Sequence, residues 1–237
     1  EDLYDRMEIK IIPPTDIVRQ WFEPHIPVVS PEQGKTCIEI GCYPGRYLAV
    51  FGEMGYQLYG IDNCKQLQRL PQGLQALGHR VGQFWNDDFL TFDPGMKFDV
   101  VASFGFVEHF TEFRAVLKQH LSLVKEGGYL ILTVPNFLGG FQQWLHKNFD
   151  RLNYDRHYIP AMELNSWQEV LRDKDFQIVY NGYFGPFRYW TEHQDRGLWS
   201  RFVLKVLGKL SPLLEKALPP NKKFYAPYGG AILKKSL

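Results

Sequence analysis

The chain has 237 residues, 45% hydrophobic and 22% charged, with a formal charge of +1. That balance suits one large globular domain and gives no case for a disordered chain or a strongly basic nucleic-acid binder. Three cysteines, Cys37, Cys42 and Cys64, have an odd count and no CxxC spacing, which favours a reduced, cytoplasmic setting and argues against a cysteine zinc site.

No run approaches the ~20 apolar residues that cross a bilayer. The first residues do not read as a signal peptide, although the chain opens on Glu1 instead of Met, as a processed or trimmed chain does. Near this end Tyr4, Trp21 and Phe22 are expected to cap one side of the fold, within residues 1–30. From Thr36 the pattern becomes regular. Apolar runs predict strands at Thr36–Cys42, Gln57–Asp62, Arg80–Trp85, Phe98–Phe104 and Tyr129–Pro135. Between them Arg46–Met54, Lys65–Leu77 and Glu112–Val124 carry apolar residues at helical spacing, as in Phe113, Val116, Leu117, Leu121 and Val124. Glycines at 55, 78 and 127–128 stand where helices would end. Nearly continuous Val/Ile/Leu strands imply helices on both faces of a mostly parallel sheet.

After Pro135 an aromatic- and glycine-rich stretch leads to a helix around Met162–Arg172 and two further strands, Phe176–Tyr183 and Tyr228–Lys234. The last strand is expected to run antiparallel, completing a doubly wound α/β sheet of seven strands. Residues 137–160, with Phe137, Phe141, Trp144, Phe149, Tyr154 and Tyr158, read as a lid over a substrate, or as aromatics that pack only one another. Residues 186–223 form an insertion with eight basic and three acidic residues, +5, so the rest of the chain carries −4. Within it, 198–218 reads as a basic amphipathic helix. Arg201, Lys205 and Lys209 oppose Trp199, Phe202, Val203, Val206 and Leu210, suited to a membrane surface, a lipid-linked substrate or the protein's own body. Gly208 and Pro212 predict a break in it.

The turn after the first strand, "EIGCYPG", is where an open α/β sheet meets a ligand. A dinucleotide fingerprint would put glycines at 41, 43 and 46; the chain has Gly41, Tyr43 and Arg46, and the tyrosine removes the close approach to a pyrophosphate. The "GKT" at Gly34–Thr36 lacks the first P-loop glycine, with Val29 in its place, and precedes the strand. Glu39 suits a cationic ligand better than a phosphate.

"EIGCYPG" resembles the E/D-x-G-x-x-x-G motif of class I, Rossmann-like S-adenosylmethionine (SAM)-dependent methyltransferases. The resemblance continues in order through "YGIDN", "NDDFLTF", "KFDVVASFGFVEHF" and "LVKEGGYLILTVPNF". It implies a single domain whose residues 31–136 bind SAM, product S-adenosylhomocysteine. The implied contacts are Glu39, Gly41, Cys42, Gly45, Asp62, Asn63, Asp88, Phe89, Ser103 and Phe104. Among these, Asp62 would accept the ribose hydroxyls, Asp88 would meet the adenine amino group and Phe89 would lie beside the ring. Pro44 is expected to open the first helix and Tyr43 to narrow the methionine end.

Glu108, His109 and His157 are the catalytic candidates, as proton acceptors or orienting groups; each has an alternative role, the Glu-His pair packing a helix start or lining the cofactor pocket, as in the families it resembles, and His157 holding a structural hydrogen bond. His25 and His120 read as structural, and no metal is expected. The acceptor implied is a polar small molecule or glycan, methylated at oxygen, in the cytoplasm or at the inner membrane surface. A catalytically silent SAM-fold scaffold and a nucleic-acid methyltransferase are the alternatives. The second lacks the N/D-P-P-Y-type motif, since "SFGFVEHF" stands there, so no nucleic-acid partner is expected.

Overall fold

The computed structural model describes residues 11–172, 174–192 and 197–237; Tyr4 lies outside them. Seven strands form one sheet: β1 (Thr36–Ile40), β2 (Gln57–Asp62), β3 (Val81–Asn86), β4 (Phe98–Phe104), β5 (Val124–Pro135), β6 (Phe176–Phe184) and β7 (Tyr228–Lys235), in the order β3-β2-β1-β4-β5-β7-β6. Strands β1 to β5 pair in parallel. β7 is inserted antiparallel between β5 and β6. The order reverses at β1 and β4, so a crevice opens at their carboxyl ends.

Eight α-helices accompany the sheet among the described residues: α1 (Ile17–Phe22), α2 (Leu48–Glu53), α3 (Leu70–Ala76), α4 (Phe113–Ser122), α5 (Gly140–Phe149), α6 (Arg151–Asp155), α7 (Leu164–Leu171) and α8 (Leu198–Ala217). Strand side chains alternate between two cores. In β5, Leu130, Leu132 and Val134 join Trp167 and Leu117 on one face, while Ile131 joins Phe22, Phe51 and Leu70 on the other. Burial on both faces explains the near-continuous apolar strands.

Three expectations are corrected. The sequence pattern over Lys65–Leu77 resolves into a 3-10 stretch, Lys65–Arg69, followed by α3, whose second residue is Pro71. Gly127 and Gly128 do not cap α4, which ends at Ser122. They lie inside β5, where the pairing skips from Phe98↔Val124 to Val100↔Tyr129 and the extra residues bulge. α8 runs unbroken through Gly208 and Pro212. Proline's ring crowds the carbonyl four residues earlier; here that residue is Gly208, against which the Tyr189 hydroxyl packs so closely that a Cβ would stand 2.8 Å from it.

The amino-terminal edge of the sheet is clipped by Asp99. Its carboxylate accepts from Lys35 Nζ (2.8 Å), Lys125 Nζ (2.9 Å) and the Thr36 amide and hydroxyl (both 3.0 Å). Burial works to raise its pKa, but these donors outweigh it and hold the group at about 2.

Candidate functional site

The turn after β1 is shaped by Gly41. Its φ is +69°, and a Cβ there would come within 2.6 Å of Phe106 Cδ2, so a side chain would meet both backbone strain and a ring. The amides of Gly41 and Cys42 donate to the Ile61 carbonyl at 2.9 and 3.2 Å, tying the turn to β2. Asp62, the last residue of β2, accepts from the Tyr43 amide through Oδ2 and from the Cys64 amide through Oδ1, each at 3.0 Å. Its carboxylate is thus oriented before any ligand arrives. The Tyr43–Pro44 peptide is cis, and Pro44 belongs to the turn; α2 starts four residues later, which corrects its expected place as the first helical residue.

Two cavities open along the carboxyl ends of the strands. The first, about 330 Å³, is walled by Gly41, Asp62, Asn63, Asp87, Asp88, Phe89, Phe106 and Phe110, with Ile40, Ile61 and Leu90. Asp88 starts a 3-10 turn, Phe89–Thr91, its Oδ1 accepting from the Leu90 amide at 2.9 Å. Phe89 is buried edge-on to Phe106, centroids 5.6 Å apart. The cavity therefore joins carboxylates along one side to aromatic faces on the other.

Glu39 does not wall this cavity. It lies buried in β1 and accepts from the Leu48 amide, while its Oε2 has no partner. Burial, with Asp62 nearby, pushes its pKa well up. Cys42, Ser103 and Gly45 are also outside the wall. Cys42 packs its Sγ against Gly60, where a Cβ would stand 2.5 Å away, and Ser103 is fully buried between its partners in β1 and β5. Gly45, at φ +82°, faces Leu70. Tyr43 is half-buried against the core on the α2 face instead of narrowing either cavity.

The second cavity, about 310 Å³, holds Glu108, His109 and His157, with Tyr47, Phe104, Asn153, Arg156, Trp190, Glu192 and Tyr228 also in its wall. The backbone at 104–106 divides the two spaces: Phe106 faces the first, Phe104 and Gly105 the second. One ligating atom from each of Glu108, His109 and His157 lies within 4.8 Å of the others, and the two imidazoles sit 4.7 Å apart. Residues 48 positions apart meet because the Tyr158 amide donates to the Glu108 carbonyl at 2.7 Å.

Their protonation differs. Burial pushes the Glu108 carboxyl up to about 8, and its Oε2 is unpartnered, so it is neutral at pH 7. Burial lowers His157 to about 4. His157 Nδ1 stands 2.5 Å from the Asn153 carbonyl, which can only accept; Nδ1 therefore carries the proton and Nε2 its lone pair. His109, at the mouth, is lowered by partial burial and by the Arg156 charge.

The sequence reading missed the group beneath this cavity. His146 and Asp150, four residues apart on α5 and its cap, are fully buried and 3.0 Å apart. Asp150 Oδ2 also accepts from Asn153 Nδ2 (2.8 Å) and the Glu192 amide (3.1 Å). Arg156 and Glu192 pair at 2.5 Å across the rim. The signal in the sequence is the i,i+4 spacing of "HKNFD", set inside an aromatic-rich stretch. Those aromatics pack chiefly on one another and on His146: Phe137 lies 4.0 Å from His146 and 5.8 Å from Trp190. What residues 137–160 present to the cavity is polar: Asn153, Arg156 and His157. His120 is a core residue, its Nδ1 2.7 Å from the Val116 carbonyl, and His25 is exposed.

Residues 18–181 match a family described as a methyltransferase domain. Among curated proteins, the ubiquinone biosynthesis O-methyltransferase of Bradyrhizobium sp. is 26% identical over 103 residues, 44% of this chain and 41% of that protein. The chain thus matches less than half the length of that relative. Among solved structures, a SAM-dependent methyltransferase from Archaeoglobus fulgidus superposes with TM-score 0.57 and 21% identity, covering 92% of this chain and 93% of that one. The magnesium protoporphyrin IX methyltransferase of Synechocystis, solved with bound SAH, gives TM-score 0.55 and 17% identity over 92% and 80%. At these identities the structural likeness is one of fold.

Proposed function

The chain belongs to the methyltransferase domain family, and from that premise we propose that it transfers a methyl group from SAM to an oxygen of a polar small-molecule acceptor. The observation that carries this is the pair of cavities back to back at the sheet's switch point, one lined by carboxylates and aromatic rings, the other by a neutral acid and two neutral imidazoles.

The residues fit a phosphate-free sulfonium nucleoside. Gly41 leaves a cradle that a Cβ would fill, and the wall offers carboxylates and aromatic faces, with no Lys or Arg among its described residues to meet a phosphate. Asp62, oriented by two amides, can accept a pair of ribose hydroxyls; Asn63 and Asp88 stand on the rim for the base and sugar edges, with Phe89 and Phe106 as apolar faces. Bound there, SAM supplies an already activated methyl group. The protein's own task is then to align the acceptor, keep water out and accept a proton.

His157 Nε2 takes the acceptor's hydroxyl proton, since its lone pair is available at neutral pH. Glu108, uncharged, donates a hydrogen bond that orients the acceptor, and His109 lines the entrance. Trp190 Nε1 and Asn153 Oδ1, buried without partners in residues of the wall, add a donor and an acceptor for a polar substrate. On this reading residues 31–136 serve as the cofactor half and 137–160 as the acceptor's cover. The names of the curated relatives, ubiquinone biosynthesis O-methyltransferases, favour oxygen as the methylated atom and a ubiquinone precursor over a glycan as the kind of acceptor. The test is methyl transfer, with radiolabelled SAM, to panels of catechols, other phenols and sugars. Labelled phenol, lost in His157→Gln with SAM affinity retained, is expected; transfer unaffected by His157→Gln overturns the assignment of the base.

A further inference from the structure

Helix α8 has three faces. At about 100° per residue, Leu204, Leu207, Ser211 and Leu214 turn toward the body of the protein, and all are at least partly buried. Trp199, Phe202, Val206, Leu210 and Leu213 fall within an arc of about 80° and face outward, with Trp199 71%, Phe202 58% and Leu213 65% exposed. Beside that stripe, in a second arc of about 80°, stand Arg201, Lys205, Lys209 and Lys216, all exposed. The helix's single acid, Glu215, is instead paired with Arg188 at 3.8 Å. The outer surface of α8 thus combines a bare aromatic and aliphatic stripe with four cations and no acid.

We propose that this face docks on an anionic lipid bilayer, with α8 lying in the plane of the interface. The stripe enters the acyl boundary and the cations meet lipid phosphates, the division of labour of interfacial helices. At 20 residues α8 is about 30 Å long, yet no helix among the described residues is long and apolar enough to cross a membrane. A second copy of the chain fits the face less well, because two-fold pairing of α8 would bring its unbalanced cations together. The docked face is also braced on the segment that walls the second cavity: Tyr189 packs on Gly208 and Arg188 on Glu215, while Trp190 and Glu192 line that space. This deepens the methyltransferase reading by naming the surface where it works, although the docking does not depend on the cofactor.

The experiment is co-sedimentation of the full chain with vesicles of phosphatidylcholine alone and of phosphatidylcholine mixed with phosphatidylglycerol, alongside calorimetric titration of SAM. Preferential pelleting with the anionic vesicles, weakened by salt, is expected. Arg201→Gln/Lys205→Gln/Lys209→Gln should lower vesicle affinity on the order of 100-fold, and Phe202→Ser/Leu213→Ser at least about tenfold, both retaining native circular dichroism. Absence of vesicle binding, or equal binding by wild type and both variants, overturns the proposal. So does a wild-type dimer that Phe202→Ser/Leu213→Ser dissociates without vesicle binding, which assigns the face to a second copy. Vesicle binding without SAM binding would leave this inference standing and remove the methyltransferase reading.

Discussion

At Asp62 two backbone amides aim a carboxylate into a cavity before a ligand is there, which is what a binding residue at a strand end requires. Asp62→Ala is expected to weaken SAM binding on the order of 10- to 100-fold, the worth of hydrogen bonds to a charged acceptor, while the circular dichroism stays native; titration calorimetry checks it. Glu108 and His157 make a sharper prediction because burial drives them in opposite senses. With His157 near 4 and Glu108 near 8, both are neutral between those values, so kcat/KM should be flat across that range. It should fall below it as the imidazole is protonated and above it as Glu108 ionises. A rate that climbs through pH 8 and loses that climb in Glu108→Gln would instead make Glu108 the base. Stability follows the same group. Between 4.5 and about 8 the unfolded chain releases the Glu108 proton while the folded one keeps it, so folding stability declines as pH rises across that window. Glu108→Gln should flatten the decline in urea titrations at stepped pH.

Among the elements, α5 and α6 are held by one carboxylate. Asp150 satisfies His146, Asn153 and the Glu192 amide together, and Asn153 in turn holds the His157 ring. Asp150→Ala strands those donors in a buried place and should cost about 3 kcal/mol, read from urea unfolding. It should also lower kcat more than it changes SAM affinity, since the cavity walled by Asp62 and Asp88 is not touched. α8 shows the converse. Its Gly208 and Pro212 looked like a break because local propensity disfavours both. The helix continues because Leu204, Leu207 and Leu214 dock on the body, and tertiary burial outweighs propensity.

For the whole molecule, Asp99 links β1, β4 and the start of β5 through Lys35, Thr36 and Lys125. Its carboxyl is depressed from 3.8 to about 2, so the stability it contributes is complete above 3.8 and is lost as pH falls through 2. Asp99→Asn should cost about 2 kcal/mol at pH 7 and show a smaller loss on acidification. By itself the chain's order of residues determined the α/β sheet, the glycine turn and the strand-end acids. Those features are local: a period of two, a period of 3.6 and a carboxylate at the end of a run each act on neighbours in sequence. Only the tertiary structure decided which candidates share a cavity. It brought Glu108 to His157 through a backbone bond between distant turns, turned Cys42 and Ser103 into the core, and put His146 and Asp150 beneath the second cavity. The reason is physical. Which way a side chain faces, and how far burial shifts its proton, depend on what other segments pack against it, and no window along the chain contains those segments.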